Sequence, residues 1–147
     1  MHDLEAIAAA VIDSAFDIHR ELGPGMMEKP CEKILAGELR LKGLYVERQK
    51  RIDLVFRGVR HREALRLDLL VERRLVVEIK SVPRIYPVHL KQTLTYLKAL
   101  NLPLGLLINF GGARLADGLR RVVNGYEGPG QAGPAVTEAP PARLDRR

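Results

Sequence analysis

Leu67-Asp68-Leu69-Leu70-Val71-Glu72-Arg73-Arg74-Leu75-Val76-Val77-Glu78-Ile79-Lys80 is the stretch on which the fold turns. Two apolar runs flank the polar trio Glu72-Arg73-Arg74, the pattern of two strands joined by a tight connection. Side chains alternate across a strand, so Val76, Glu78 and Lys80 share one face while Leu75, Val77 and Ile79 share the other. With the connection centred on Arg73, residues equally far from it stand opposite one another, and Asp68 faces Glu78. Two carboxylates then look into one small space.

Opposed like charges on neighbouring strands destabilise a sheet unless a cation or a shared proton compensates. A divalent ion resolves the conflict. Carboxylates with open water positions favour Mg²⁺ or Mn²⁺, hard ions that bridge protein and phosphate oxygens. Lys80, two residues beyond Glu78, brings an ammonium beside such an ion without being a ligand, where it can stabilise charge developing in a transition state. An acid, a gap and a Glu-x-Lys triplet arise readily by chance in a chain that is 29% charged. The context argues against chance here, because both acids sit inside apolar runs and buried acids are rare without a compensating partner.

Working outward, Asp3 to Leu22 carries Leu4, Ile7, Val11, Ala15 and Ile18 at three-four spacing, a helical stripe ended by Gly23-Pro24-Gly25. A second helix is expected from about Met26 to Lys42, with Pro30 in its first turn and Gly43 as its stop. Tyr45 to Phe56 reads as a strand, Arg57-Gly58 as a turn, and a return strand leads into Leu67–Val71, giving an antiparallel three-stranded meander. His89 to Leu100 returns to helical spacing and supplies Gln92 and Tyr96, four apart on one face. Leu104-Gly105-Leu106-Leu107-Ile108-Asn109 is a nearly unbroken apolar run, as a central strand covered on both faces would be. A short element around Leu115 to Val123 closes the domain.

The bulk properties bound the answer. At 147 residues, 46% hydrophobic and without Trp, the chain suits one α/β core built from Leu, Val, Ile and Ala. We expect one domain over residues 1–126 and a disordered tail over 127–147, where Gly and Pro take seven of 21 positions. The tail's three Arg balance its three acids, so the whole net charge of +6 falls on residues 1–126 and favours polyanionic partners. No signal peptide or membrane span is expected, which places the protein in the cytoplasm with no membrane partner. The single Cys31 can form no internal disulfide. It reads as a small buried side chain, and His19 and His89 as packing or helix-boundary residues.

Asp68, then Glu78-Ile79-Lys80, then Gln92-x-x-x-Tyr96 resembles the PD-(D/E)xK nuclease superfamily, especially its RecB-like and lambda-exonuclease-like branches. More narrowly, Glu21-Leu22-Gly23-Pro24-Gly25-Met26-Met27-Glu28, the Asp68–Lys80 hairpin and Leu106-Leu107-Ile108-Asn109-Phe110-Gly111 resemble the small GxxExxY family over roughly residues 5 to 125. Cys31 stands where that pattern has Tyr. The resemblance implies a restriction-endonuclease-like α/β core with N-terminal helices, the meander, a crossover helix and a further central strand. It implies Asp68 and Glu78 as ligands of Mg²⁺ or Mn²⁺, Lys80 as the catalytic lysine with Gln92 and Tyr96 beside it, and Glu28 approaching the metal from the helical side. It also implies phosphodiester hydrolysis in nucleic acid, DNA ahead of RNA. The rival reading is a nuclease-fold module with weak or lost turnover that binds nucleic acid or a protein partner, which the Pro30 and Cys31 departures would permit.

Overall fold

The protein is described here by a computed structural model covering residues 3–126 and Gly128. The tail expected over 127–147 lies, apart from Gly128, outside the described residues. Helix α1 (Leu4–Leu22) starts where the Asp3 carboxylate accepts the Ala6 N–H at 2.7 Å, and it stops at Gly23, whose φ of 77° suits glycine. Helix α2 (Glu28–Leu41) is shorter at both ends than the Met26–Lys42 expected from periodicity. Pro30 is its third residue, where the missing N–H would have had no helical partner, and Cys31 just after it is fully buried. Both departures from the family pattern are absorbed without breaking the helix.

Five strands follow: β1 (Val46–Phe56), β2 (Val59–Val71), β3 (Leu75–Lys80), β4 (Leu104–Asn109) and β5 (Leu119–Val123), with helix α3 (Pro87–Leu100) between β3 and β4 and a 3-10 turn at Leu115–Gly118. They lie side by side in chain order, antiparallel except for the β3–β4 pair, which α3 makes parallel by crossing over the sheet. This is the expected meander, crossover helix and further central strand. The closing segment at Leu115–Val123 proves to be the turn plus the edge strand β5, so β4 is interior and all six of its residues are buried.

Helices α1 and α2 cover one face of the sheet, meeting Leu69, Val71, Leu75, Val77, Ile79, Leu106 and Ile108, while α3 covers the other over Ile52, Leu67, Leu70 and Val76. Each fully buried Leu or Ile contributes about 1.5–3 kcal/mol, which is why a chain without Trp can still hold a core. The first helix is tied to the end of the domain by Glu5, which accepts from Arg121 Nη2 at 2.6 Å and from the Tyr126 hydroxyl at 2.7 Å.

The β2–β3 register is Leu69↔Val77, Leu70↔Val76, Val71↔Leu75, centred on Arg73 as expected, with Glu72 and Arg73 both at positive φ. Beyond Leu69 and Val77 the ladder ends, so Asp68 and Glu78 do not form a strand pair. The β1–β2 pairing continues outward to Phe56↔Val59 and closes at Arg57-Gly58, both at positive φ, the geometry of a two-residue hairpin turn. The outer hairpin is thus a two-stranded ribbon that β3 does not reach. Within it the register shifts between Ile52↔Leu65 and Leu54↔His61, and Asp53 caps the irregularity by accepting the Glu63 N–H at 2.8 Å.

Candidate active site

The site lies where β2 and β3 part company. The Asp68 N–H donates to Glu78 Oε1 at 3.0 Å, and the Ile79 N–H donates to Asp68 Oδ2 at 2.9 Å. Each carboxylate thus accepts a backbone N–H of the opposite strand just past the last ladder pair. Glu78 is 3% exposed and Asp68 half-buried. Burial pushes the Glu78 carboxyl up to about 8, helped by the Asp68 negative charge and by the hydrogen bond between the two carboxyls. The Asp68 N–H and the Lys80 ammonium pull the other way without prevailing.

Lys80 projects toward α3, where its Nζ donates to Gln92 Oε1 at 3.1 Å, and Gln92 Nε2 donates to the Tyr96 hydroxyl at 3.1 Å. The i, i+4 spacing on α3 sets up this chain. Burial raises the Tyr96 phenol, and the nearby Glu78 charge raises it further, so it keeps its proton. Asp68, Glu78, Lys80, Gln92 and Tyr96 are therefore brought together. Glu28 stands to one side: it is exposed, and its carboxylate accepts the Ser81 N–H at 3.3 Å, just past Lys80.

The helical acid whose contacts do reach Asp68 is Glu32, one turn further along α2. It is 3% exposed and takes Arg48 Nη2 at 2.9 Å and Nε at 3.3 Å. Gln49 Nε2 bonds Glu32 Oε1 and also approaches Asp68 Oδ1 at 3.4 Å. To make this bridge Gln49 takes φ 51° in the middle of β1, a left-handed conformation that costs a non-glycine residue about 1 kcal/mol or more. Neither Glu32 nor Gln49 was singled out from the sequence. Glu32 had a signal, since it falls inside the buried stripe Cys31, Leu35, Ala36, Leu39. The site's floor is held by Asn109, whose side chain brackets Val82 N and O at 3.0 and 2.9 Å, while Gly111 passes so close that a Cβ would sit 2.5 Å from Val82 O.

These donors fit a hard divalent ion. Two carboxylates packed together at low exposure favour a proton between them, and an ion of charge two removes the need for it. Among the described residues no group of three or more His, Cys, Asp or Glu side chains is arranged to hold a metal. Two carboxylates with the remaining positions filled by water and substrate phosphate is the manner in which Mg²⁺ is commonly held. His19 and His89 take boundary roles, His19 against Gly112 O at 2.9 Å and His89 accepting the Tyr86 N–H at the start of α3. Among the described residues no helix is long and apolar enough to cross a membrane.

No curated protein and no solved structure matches the chain. A family profile does, over residues 5–122, from the start of α1 into β5 and across every site residue above. Its description agrees with the sheet and helix arrangement: the chain belongs to the PD-(D/E)XK nuclease superfamily.

Proposed function

We propose that the protein is a divalent-metal-dependent nuclease that hydrolyses phosphodiester bonds in nucleic acid, with DNA ahead of RNA. Superfamily membership supports a nuclease-type function. The observation that carries the finer reading is the Asp68–Glu78 pair, two low-exposure acids facing each other with Lys80 alongside and, among the described residues, no cation bonded to either. Asp68 and Glu78 would hold Mg²⁺ or Mn²⁺, which when bound supplies Lewis-acid polarisation of phosphate and water.

The chain's own groups do the rest. Gln92 fixes the Lys80 ammonium, so that it meets negative charge on the phosphoryl oxygens without reorganising as the bond breaks. Tyr96, held protonated, keeps the Gln92 amide turned with its oxygen toward Lys80. Glu28, exposed beside Ser81, approaches the scissile region from the α2 side. The test incubates pure protein with labelled single-stranded and duplex DNA and RNA in Mg²⁺, Mn²⁺ or chelator. Cleavage that needs the ion is expected. Binding without cleavage under every ion would instead establish the inactive-module reading.

A further inference from the structure

The outer part of the β1–β2 hairpin is the most positively charged segment of the molecule. Residues 50–66 hold six Lys and Arg against two acids, Asp53 and Glu63, so four of the chain's net +6 lie in this ribbon. Asp53 is already engaged, taking Arg60 Nη1 at 3.3 Å. Arg51 and Arg66 stand directly opposite each other in the ladder, both exposed, and neither has a hydrogen bond or ion pair among the described residues. Like charges placed directly across a ladder are destabilising. Their neighbours Ile52 and Leu65 pack toward α3, which anchors the ribbon's root and leaves the arginines on the other face by alternation. Charge on an edge strand also discourages sheet-to-sheet association, but either sign serves that purpose, and this ribbon is strongly of one sign.

The position of the pair is as telling as its sign. Arg66 is two residues from Asp68 along β2. An anion lying across Arg51 and Arg66 is therefore two residues along the strand from Asp68.

We propose that the outer β1–β2 hairpin is a docking arm for the sugar–phosphate backbone of nucleic acid, with Arg51 and Arg66 gripping one phosphate region and leading the strand to Asp68 and Glu78. This rests on the nuclease reading for its substrate, and it adds the surface that receives it. A two-stranded ribbon is a shape that lies along or in a groove of a duplex. Phosphate contacts of this kind hold register without reading sequence.

The test measures binding of labelled duplex DNA in chelator across a salt series. The proteins compared are the parent, the Arg51→Gln/Arg66→Gln variant, the charge-preserving Arg51→Lys/Arg66→Lys variant and Asp68→Asn/Glu78→Gln. Neutralising the two arginines is expected to lower the salt slope by about two and to weaken binding roughly 10–100-fold at about 0.1 M salt. The lysine variant should keep most of the affinity and the slope, and the acid-site variant should bind at least as well as the parent. Parental affinity and slope in the Gln variant would overturn the arm, and so would polyglutamate competing as well as duplex DNA. Ion-dependent cleavage in the same preparations would then leave the nuclease reading standing. Arm-dependent binding with no cleavage under any ion would instead sink the nuclease reading and keep the arm.

Discussion

Two glutamates, each 3% exposed, are linked to Asp68, Glu78 directly and Glu32 through Gln49, and their surroundings are opposite. Glu32 has a guanidinium of its own, two bonds from Arg48, and an amide from Gln49. Glu78 has another acid. A carboxylate that only has to be stable is given a cation by the fold, as Glu32 is. One left facing Asp68, with the Lys80 ammonium nearby but no cation bonded to it among the described residues, raises its own energy, and the protein tolerates that where something from outside completes the group.

The sharpest way to break this contrast is to remove the acids that lack a cation. Asp68→Asn/Glu78→Gln should abolish calorimetric Mn²⁺ binding and lower single-turnover cleavage roughly 10³-fold or more, since the ion supplies several kcal/mol of transition-state stabilisation. The fold should survive, because amides relieve the repulsion. Mn²⁺ bound as tightly as by the parent would show that the pair is not the metal site.

Lys80→Ala should come next, with cleavage down about 10²–10³-fold, while folding, Mn²⁺ affinity and nucleic-acid affinity stay close to parental. Cleavage at the parental rate would remove Lys80 from the chemistry.

The third prediction concerns pH. Glu78 titrates near its ordinary value of 4.5 when unfolded and near 8 when folded, so between those values the folded protein holds the extra proton. Its contribution to stability is whole below about pH 4.5 and is lost as pH rises toward 8. Denaturation in chelator should show the parent losing about 3 kcal/mol more than Glu78→Gln between pH 4.5 and 7, with Mn²⁺ restoring much of it. Identical pH dependence in the two proteins would contradict the burial argument.

The smallest effect should belong to the compensated acid. Glu32→Ala leaves Arg48 without its partner, yet the guanidinium keeps access to water at 34% side-chain exposure, so a loss of about 1–2 kcal/mol is expected in denaturant melts. Mn²⁺ affinity should fall less than tenfold, through the loosened Gln49 bridge. Loss of metal binding as complete as in the double acid variant would erase the distinction between the two glutamates.

Much of this was legible in the residues. The register followed from centring the connection on Arg73, and the run Leu104–Asn109 announced an interior strand because only its last residue, Asn109, is polar. What escaped was the set of interruptions. Gln49 in a left-handed conformation and three residues of β2 set against Asp53 have no local signature, since neither Gly nor Pro marks them. Both depend on how the strands meet in space. Glu28 drew attention through its motif position, whereas the acid bonded toward Asp68 is Glu32, four residues on and inside the apolar stripe.

The tie between Glu5 and the pair Arg121 and Tyr126 has a bearing on biogenesis. Glu5 lies 116 and 121 residues before its two partners in the chain, so α1 cannot acquire these bonds until β5 and Tyr126 have been made. Through synthesis its apolar face, with Ile7, Val11 and Ala15, has only α2 as an early neighbour, and the sheet it finally covers arrives strand by strand. Closure of α1 over the sheet is thus a late, long-range event in folding, set by sequence separation.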